Sequence, residues 1–305
     1  MKICKYFLLL SMVVLGGMTV SSCGDDDDDE GGASGGSGST SAVTIGNTGT
    51  RLTQVGNYTL TYDNQGRLSE ITEGYDKCQF TYNPNKIIMI DGGSSGVHDT
   101  QEMSASYNSK GYLSAFSSNY SFKEDGASIT VNGKANLTYD GNGHLTKVTT
   151  TGSQTGSYDG QKFSETANTT VTLTWQSGKL MKIVYENVEN SADGKETTSE
   201  TYTFDYGNNQ YPNTTKQYSY KLAYIISDEF LGVGGMVGLF GVGPDYLPVS
   251  ATSITHDFYD GEDHEYTYNY SYTYQFNDNG TIAYESAVDG YGYGSGYDYV
   301  YDSAK

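Results

Sequence analysis

The sequence predicts an all-β fold: an antiparallel meander forming a large barrel or barrel-like sheet, with one short apolar helix capping or plugging it. Three observations support this prediction. A strand–turn–strand unit recurs along the chain, and several stretches alternate between aromatic and polar residues. The turns are built on glycine rather than proline, with 39 glycines against four prolines.

The recurring unit is clearest at residues 60–71, which read LTYDNQGRLSEI. Asp or Asn at the first turn position bonds its own backbone two residues on, and Gly at the fourth takes the left-handed conformation without a Cβ clash. Each copy therefore predicts a hairpin with a bulge that joins two adjacent strands. Further copies lie at residues 105–113, 137–145 and 274–282, with weaker ones at Tyr82 and Trp175. Their uneven spacing argues against a solenoid of fixed period.

The predicted strands are rich in tyrosine, of which the chain has 30. Residues 266–276, YTYNYSYTYQF, place six aromatic residues on one face, which predicts a strand half-buried along its whole length. Strands are also predicted from the alternation in residues 169–185, 199–206 and 218–226. In the first unit Leu68 and Ile71 fall on opposite faces, so either a bulge shifts the register or both faces are partly covered.

One segment breaks the β pattern and predicts the helix, at about residues 228–241. Ser227 is the expected N-cap and two acidic residues follow it. Apolar residues then recur at helical spacing, at Phe230, Val233, Val237 and Phe240. The segment is too short and too rich in glycine to span a membrane. We expect it to cap or plug the β structure, and a membrane-touching or partner-binding helix is the alternative.

The N-terminal residues predict export and a lipid anchor. Residues 1–22 have the basic start, short apolar run and small residues of a signal peptide. Residues 20–23, Val-Ser-Ser-Cys, resemble a bacterial lipobox, so Cys23 is the predicted lipidated first residue of the mature protein. The lipid bilayer is therefore a predicted partner.

The next segment is predicted to separate this anchor from the folded part. Residues 25–30 are five aspartates and a glutamate, which resemble the acidic tract of lipoproteins sent to the cell surface; a solvated spacer is the alternative. A Gly/Ser tether completes the 23–42 segment, and residues 43–305 are a single predicted β domain. We expect an outer-membrane, lipid-anchored protein facing the cell exterior.

Charge and cysteine content narrow the function. The chain has 37 acidic residues against 17 lysines and arginines, a formal net charge of −20, which argues against a nucleic-acid partner. Cys4 lies in the signal peptide and Cys23 is the lipid site, so Cys78 is the one thiol expected in the folded part. Cys78 directly precedes the strand-like residues 79–82 and has no His/Asn partner pattern, so we expect it to be buried and structural.

Catalytic motifs are weak, and no catalytic, metal-binding or cofactor-binding residue is predicted. Residues 32–36 and 92–96 match G-x-S-x-G by letter but lack the strand-to-helix context of a nucleophile. Residues 256–265 hold two histidines and five carboxylates. Their spacing fits no standard metal motif, so a solvated acidic loop is favoured. A metal-assisted hydrolase using this loop is the alternative function.

These features together resemble one family. The signal peptide, the acidic tract after Cys23, the Tyr-Asp-x-x-Gly-x-Leu hairpins and the apolar segment running into Tyr246-Leu247-Pro248 resemble an uncharacterised gut-bacterial lipoprotein family, a domain of unknown function with a porin-like fold. The resemblance covers residues 57–301 and implies an antiparallel barrel without assigning a reaction. The hairpin unit is also similar to the YD repeats of Rhs-type shells, which are longer and more regular.

The prediction is of a binding or structural module rather than an enzyme or a channel. A channel in lipid needs an apolar outer band, whereas the mean hydropathy here is −0.54 and the aromatic faces are tyrosine. Tyrosine faces beside Thr, Asn and Asp could bind carbohydrate, which is the one ligand that the sequence suggests. The interpretation that tyrosine fills a wide barrel core is favoured over ligand binding.

Overall fold

A computed structural model describes residues 50–92, 98–124, 127–158, 160–192, 194–227, 229–259 and 262–303. Over these residues the chain forms a closed barrel of 16 antiparallel strands and a separate two-stranded ribbon. The predicted all-β antiparallel barrel is confirmed. The signal peptide, Cys23 and the tether lie outside the described residues.

The elements follow one another with few interruptions. The strands are β1 (Thr50–Val55), β2 (Tyr58–Tyr62), β3 (Leu68–Glu73), β4 (Asp76–Tyr82), β5 (Asn85–Gly92), β6 (His98–Tyr107), β7 (Leu113–Glu124), β8 (Ala127–Tyr139), β9 (Leu145–Tyr158), β10 (Gln161–Gln176), β11 (Lys179–Ser191), β12 (Gly194–Asp205), β13 (Tyr211–Pro212), β14 (Tyr246–Leu247), β15 (Ser250–Tyr259), β16 (Glu262–Phe276), β17 (Ile282–Asp289) and β18 (Gly294–Ser303). The helices are α1 (Tyr220–Ile226) and α2 (Glu229–Met236).

The barrel closes because its first and last strands pair. Thr50 lies opposite Ser303 and Val55 opposite Tyr299. All other barrel neighbours are consecutive in the chain except β12 and β15, which flank the ribbon and both helices. This simple meander leaves no unpaired edge in the barrel.

The four predicted hairpin units share one geometry. In the first, the Asp63 N–H donates to the Arg67 carbonyl and the Gly66 N–H to the Asp63 carbonyl, both at 2.9 Å. Asp63 Oδ1 also accepts from the N–H groups of Gln65 and Arg67. Gly66 has a φ of 78°, the left-handed conformation predicted for it. The same backbone bonds close the turns at 108–112, 140–144 and 277–281.

A bulge explains why Leu68 and Ile71 both face the core, although their spacing would place them on opposite faces of a regular strand. Thr61 pairs with Glu70 but Tyr62 pairs with Leu68, so the register shifts by one residue. Leu68 and Ile71 are therefore both buried inside the barrel. The same shift occurs where Tyr107 pairs with Leu113, Tyr139 with Leu145 and Phe276 with Ile282.

Five hydrogen bonds tie hairpins to their neighbours. The Tyr82 hydroxyl donates to the Leu68 carbonyl at 2.8 Å, and the Tyr139 hydroxyl donates to the Leu113 carbonyl at 2.6 Å. The same link joins Tyr62 to Leu52, Trp175 to Leu145 and Tyr206 to Leu180. We call these five bonds the donor ladder. In each bond, the donor is an aromatic side chain at the end of a strand that leads into a turn. The acceptor is the carbonyl of a leucine on the neighbouring, preceding strand.

The connection between β12 and β15 folds into one end of the barrel as a plug. The Leu113 N–H donates to the Leu239 carbonyl and the Val242 N–H to the Gly143 carbonyl, both at 2.9 Å. The plug thus lies at the end that carries the hairpin turns of the four repeated units, which we call the plug end. Its side chains form much of the core, with Leu222, Ala223, Ile226, Val233, Met236 and Leu239 all buried.

The helix predicted at about 228–241 is present as α2, which is shorter, and a second helix that was not predicted, α1, precedes it. Ser227 is not an N-cap; it is the C-cap of α1, and α2 ends at Met236. The strand predicted at 218–226 is also wrong, because α1 occupies most of that segment with Ser219 as its N-cap. A segment inside a closed barrel finds no free strand edge, so a helix satisfies its backbone groups locally. In the described part of the chain no helix is long and apolar enough to cross a membrane.

A buried carboxyl fixes the plug to the barrel. Glu285 on β17 accepts hydrogen bonds from Ser219 Oγ at 2.8 Å, the Tyr299 hydroxyl at 2.7 Å and the Lys221 N–H at 3.4 Å. The Tyr299 hydroxyl in turn accepts from the Tyr220 N–H at 2.9 Å. Burial raises the pKa of Glu285, against the lowering effect of these donors. The start of α1 is therefore held by one acidic side chain.

Candidate functional site at the mouth of the barrel

The barrel is much taller on one side than on the other. Strand β2 has five residues and β10 has 16. At about 3.3 Å per residue, strands on the tall side extend on the order of 30 Å further. We call strands β7–β12, β15 and β16 the tall wall, and the end opposite the plug the mouth. The inner face of the tall wall at the mouth is the candidate functional site.

The tyrosine face of β16 runs from the plug to the mouth. All its tyrosines point inward, because Tyr266, Tyr268 and Tyr270 pair with the inward-facing Thr255, Ser253 and Ala251. Their burial is graded: Tyr272 is 4% exposed, whereas Tyr268 is 37% and Tyr266 41% exposed. The prediction that all six aromatics share a face is confirmed. The prediction that the strand is half-buried along its whole length is wrong, because its N-terminal half extends beyond the plug.

Polar side chains replace the apolar core on the tall wall near the mouth. Ser253 Oγ donates to Glu200 Oε1 at 2.5 Å, which joins β15 to β12. Thr169 Oγ1 donates to Asn187 Oδ1 at 2.9 Å, and Asn187 Nδ2 donates to Glu189 Oε1 at 2.8 Å. These side chains form two short hydrogen-bonded chains, each ending on a carboxylate.

Glu200 and Asp257 lie close together on this face. Glu200 pairs with Thr255, and Asp257 is the next inward-facing residue of β15. Such diagonal neighbours are about 7–8 Å apart. Burial raises the pKa of Glu200, with a further rise from the negative charge of Asp257, while hydrogen bonds from Ser253, Tyr202 and Thr255 oppose it.

Several buried polar atoms on the inner face lack a partner within the described part of the chain. Gln154, which is fully buried, has no hydrogen-bond partner for either side-chain amide atom, and the Ser118 hydroxyl is likewise unpartnered. Asp257 is 6% exposed, and its Oδ1 has no partner. Because buried polar groups are nearly always hydrogen-bonded, these atoms retain unused hydrogen-bonding capacity.

Exposed tyrosines lie at the mouth on the side of the barrel formed by the shorter strands. Tyr75 lies at the tip of the β3–β4 hairpin, and Tyr291 and Tyr293 at the tip of the β17–β18 hairpin, all at least 70% exposed. The latter turn is a fifth copy of the hairpin unit, in which Asp289 Oδ1 accepts from the N–H groups of Tyr291 and Tyr293. Aromatic surface therefore faces solvent on both sides of the mouth.

The acidic stretch at 256–265 is divided between the two faces of the sheet. His256 pairs with the outward-facing Ser199, whereas His264 pairs with the inward-facing Asp257. His256 lies 3.6 Å from both Asp263 and Glu265 on the outer face. Among the described residues, no group of His, Cys, Asp and Glu side chains converges as a metal site requires. Asp260 and Gly261 lie outside the described residues.

Sequence reasoning missed the residues that now form the candidate site on β12. Glu200 lies in a predicted strand, residues 199–206, but its partner Ser253 is 53 residues away in the chain. One signal could have placed it: Tyr202 and Phe204 are apolar, so the even-numbered residues of this strand should face the core.

Cys78 is buried as predicted, and burial raises the pKa of its thiol. The match at 92–96 falls almost wholly outside the described residues.

No protein-family model matches the chain, and no curated protein matches it. Among solved structures, it is similar to a porin-like protein from Bacteroides vulgatus, with a TM-score of 0.48 and 15% identity over 82% of this chain and 98% of that one. It is also similar to a porin-like protein from Bacteroides uniformis, with a TM-score of 0.43 and 14% identity over 80% of this chain and 90% of that one.

Proposed function

We propose that this protein is a non-enzymatic, lipid-anchored protein of the outer membrane whose barrel mouth binds carbohydrate. The observation that carries the proposal is the solvent-facing part of the tyrosine face. Tyr266 and Tyr268 lie on the inner wall beside Ser253 and Thr255, with the Glu200 carboxyl bonded to Ser253. Tyrosine rings can pack on the apolar faces of sugar rings, and neighbouring hydroxyls and carboxyls can bond sugar hydroxyls.

The outer surface of the barrel supports anchoring over insertion in lipid. The positions that face away from the core on β7–β10 are mostly small and polar, among them Ser117, Asn119, Ser121, Thr130, Asn132, Lys134, Asn136, Thr149, Thr151, Thr166, Asn168, Thr170 and Thr172. A barrel in a bilayer needs an apolar band on this face. Exposed apolar residues on the outer face, such as Ile254, Phe258 and Val300, are isolated.

The chain path supports a mouth that points away from the membrane. Strand β1 enters the barrel at the plug end, since Thr50 pairs with Ser303 there and the β2–β3 turn lies at the same end. A tether between Cys23 and β1 would therefore reach the barrel at its plugged end. The tyrosine-lined mouth would then be free to meet ligands outside the cell.

Binding to immobilised glycans by the full-length protein tests this proposal. We expect selective binding that weakens by about tenfold or more when Tyr266 and Tyr268 are both changed to alanine, since two stacking contacts are lost. Phe258→Ala is the matched control, because it removes an exposed aromatic ring from the outer face of the adjacent strand. Uniformly weak binding across glycans, or equal losses in both variants, would overturn the proposal.

A further inference from the structure

The charge of the mouth is one-sided. In the described part of the tall wall, six carboxylates occupy inward-facing positions, at Glu165, Glu189, Glu196, Glu200, Asp257 and Glu262. In the described parts of these strands, no lysine or arginine takes an inward-facing position; Lys134, Lys147, Lys162, Lys182 and Lys195 all face outward. Here the inward-facing group able to become cationic is His264, which pairs with Asp257 across β15 and β16 and lies 4.0 Å from Glu262. A ligand in the mouth therefore meets negative charge without a compensating fixed cation.

The buried acceptor atoms point to a donor that is charged. Asp257 Oδ1 is an unpartnered acceptor in a side chain that is 6% exposed. Glu200, its diagonal neighbour, receives the Ser253 hydroxyl on Oε1. A hydrogen bond to a carboxylate is strongest when the donor is also ionised. A neutral hydroxyl would satisfy Asp257 but would leave the repulsion between the two carboxylates uncompensated.

The geometry favours an organic cation over a metal ion. The carboxylates are spread along the wall, and within the described residues none of them joins a group that could hold a metal. Tyrosines share the inner face with Glu200: the buried Tyr185 pairs with it from β11, and the exposed Tyr266 lies two strands away on β16, opposite Thr255. Aromatic faces attract ammonium groups as well as sugar rings.

We infer that the mouth selects carbohydrate that carries free amino groups, with Glu200 and Asp257 binding the ammonium. This inference rests on the proposed function, because it specifies which carbohydrate the same surface takes. The tyrosines supply contact with the sugar ring, and the two carboxylates discriminate by charge. An N-acetylated sugar of the same linkage keeps the ring but loses the charge, so it should bind more weakly.

Two matched oligosaccharides test the inference with the full-length protein. Short β-1,4-linked oligomers of glucosamine and of N-acetylglucosamine differ by the acetyl group on each nitrogen. We expect titration calorimetry to show that the amine form binds about tenfold more tightly, as one charge-assisted hydrogen bond would provide. Equal binding of both forms would overturn the inference and leave the proposed function standing. If neither they nor any glycan binds, the proposed function fails as well.

Two double variants separate the mouth from the overall charge of the protein. Glu200→Gln with Asp257→Asn should abolish the preference for the amine form. Glu186→Gln with Glu265→Gln removes the same charge from the outer face of β11 and β16, and should leave the preference unchanged. An equal loss in both double variants would show that the preference comes from net charge alone. Should the mouth variant not fold, the comparison of the two oligosaccharides on the unaltered protein still decides the question.

Discussion

Tyrosines pack the core at the plug end of the barrel and face solvent at the mouth, and β16 carries both kinds. Near the plug, Tyr272 and Tyr274 are buried against the core; near the mouth, Tyr266 and Tyr268 meet solvent. The residues share a strand, a face and an alternating pattern. The difference comes only from whether the plug lies opposite them. Alternation thus determines which way a side chain points, and tertiary structure determines whether it is covered.

Buried carboxyls differ between the two ends in the same way. Glu285 at the plug end receives three hydrogen bonds from the plug and the wall. Asp257 at the mouth keeps an unpartnered oxygen. A saturated carboxyl locks two parts of the fold together, whereas an unsaturated one retains capacity for a ligand.

The largest expected effect separates two tyrosines of β16. Tyr272→Ala should lower the free energy of unfolding by about 3–5 kcal/mol, because it leaves a cavity in the packed half of the barrel. Tyr266→Ala, on the same face of the same strand, should lower it by less than about 1 kcal/mol. Urea unfolding followed by tyrosine fluorescence measures both. Similar losses at the two positions would mean that the mouth is as tightly packed as the plug end.

The next effect concerns the carboxyl that holds the plug. Glu285→Ala leaves Ser219, Tyr299 and the Lys221 N–H without their acceptor and should cost about 3 kcal/mol. Asp257→Asn at the mouth should cost less than about 1 kcal/mol, because the changed oxygen has no partner to lose. The same unfolding measurement compares them. A larger loss for Asp257→Asn would contradict the assignment of anchoring to Glu285.

The Glu285 anchor should also make stability depend on pH. Burial raises its pKa in the folded state above the ordinary value of 4.5, so the folded protein keeps this proton to higher pH than the unfolded chain. The stability contributed by protonated Glu285 is complete below pH 4.5 and is lost as pH rises through the folded pKa. Glu285→Gln removes this term. The free energy of unfolding of the variant should therefore rise relative to that of the unaltered protein as pH increases. A difference in free energy that does not change with pH would contradict a raised pKa for Glu285.

The smallest effect tests the donor ladder. Tyr139→Phe should cost about 1–2 kcal/mol, because the Tyr139 hydroxyl bonds the Leu113 carbonyl at 2.6 Å and the Leu239 carbonyl at 3.2 Å. Tyr107→Phe is the matched control, since the Tyr107 hydroxyl is buried without a partner in the described chain. Its removal should be neutral or stabilising. Thermal melts that fall equally in both variants would show that the ladder contributes little.

Local chemistry made the hairpins predictable. Asp63 and Gly66 determine the first turn through contacts within five residues, and the copies at 108–112, 140–144 and 277–281 repeat them. The class of fold follows, because consecutive hairpins produce a meander. The bulge remained one of two alternatives in the sequence, because the positions of Leu68 and Ile71 reveal it only when the pairing with β2 is known.

Longer-range features were beyond the sequence pattern. Residues 220–226 read as an alternating strand in the sequence, but inside the closed barrel they form α1. The candidate site depends on contacts such as Ser253 with Glu200, which join residues 53 positions apart. Tyrosine abundance pointed to aromatic faces, but the graded burial of β16 depends on where the plug ends.

The donor ladder has a consequence for the size of the ring. Each bond of the donor ladder joins a strand pair to the pair before it, and the Tyr139 hydroxyl also bonds the plug at Leu239. The bonds between strand pairs therefore do not depend on how many pairs complete the barrel. A duplicated or deleted hairpin would leave the remaining bonds intact. The plug is different, because it bonds to residues as far apart in the chain as Leu113, Gly143, Gly178 and Glu285. The plug therefore fits one barrel diameter. A barrel with more or fewer hairpins would need a plug of a different width.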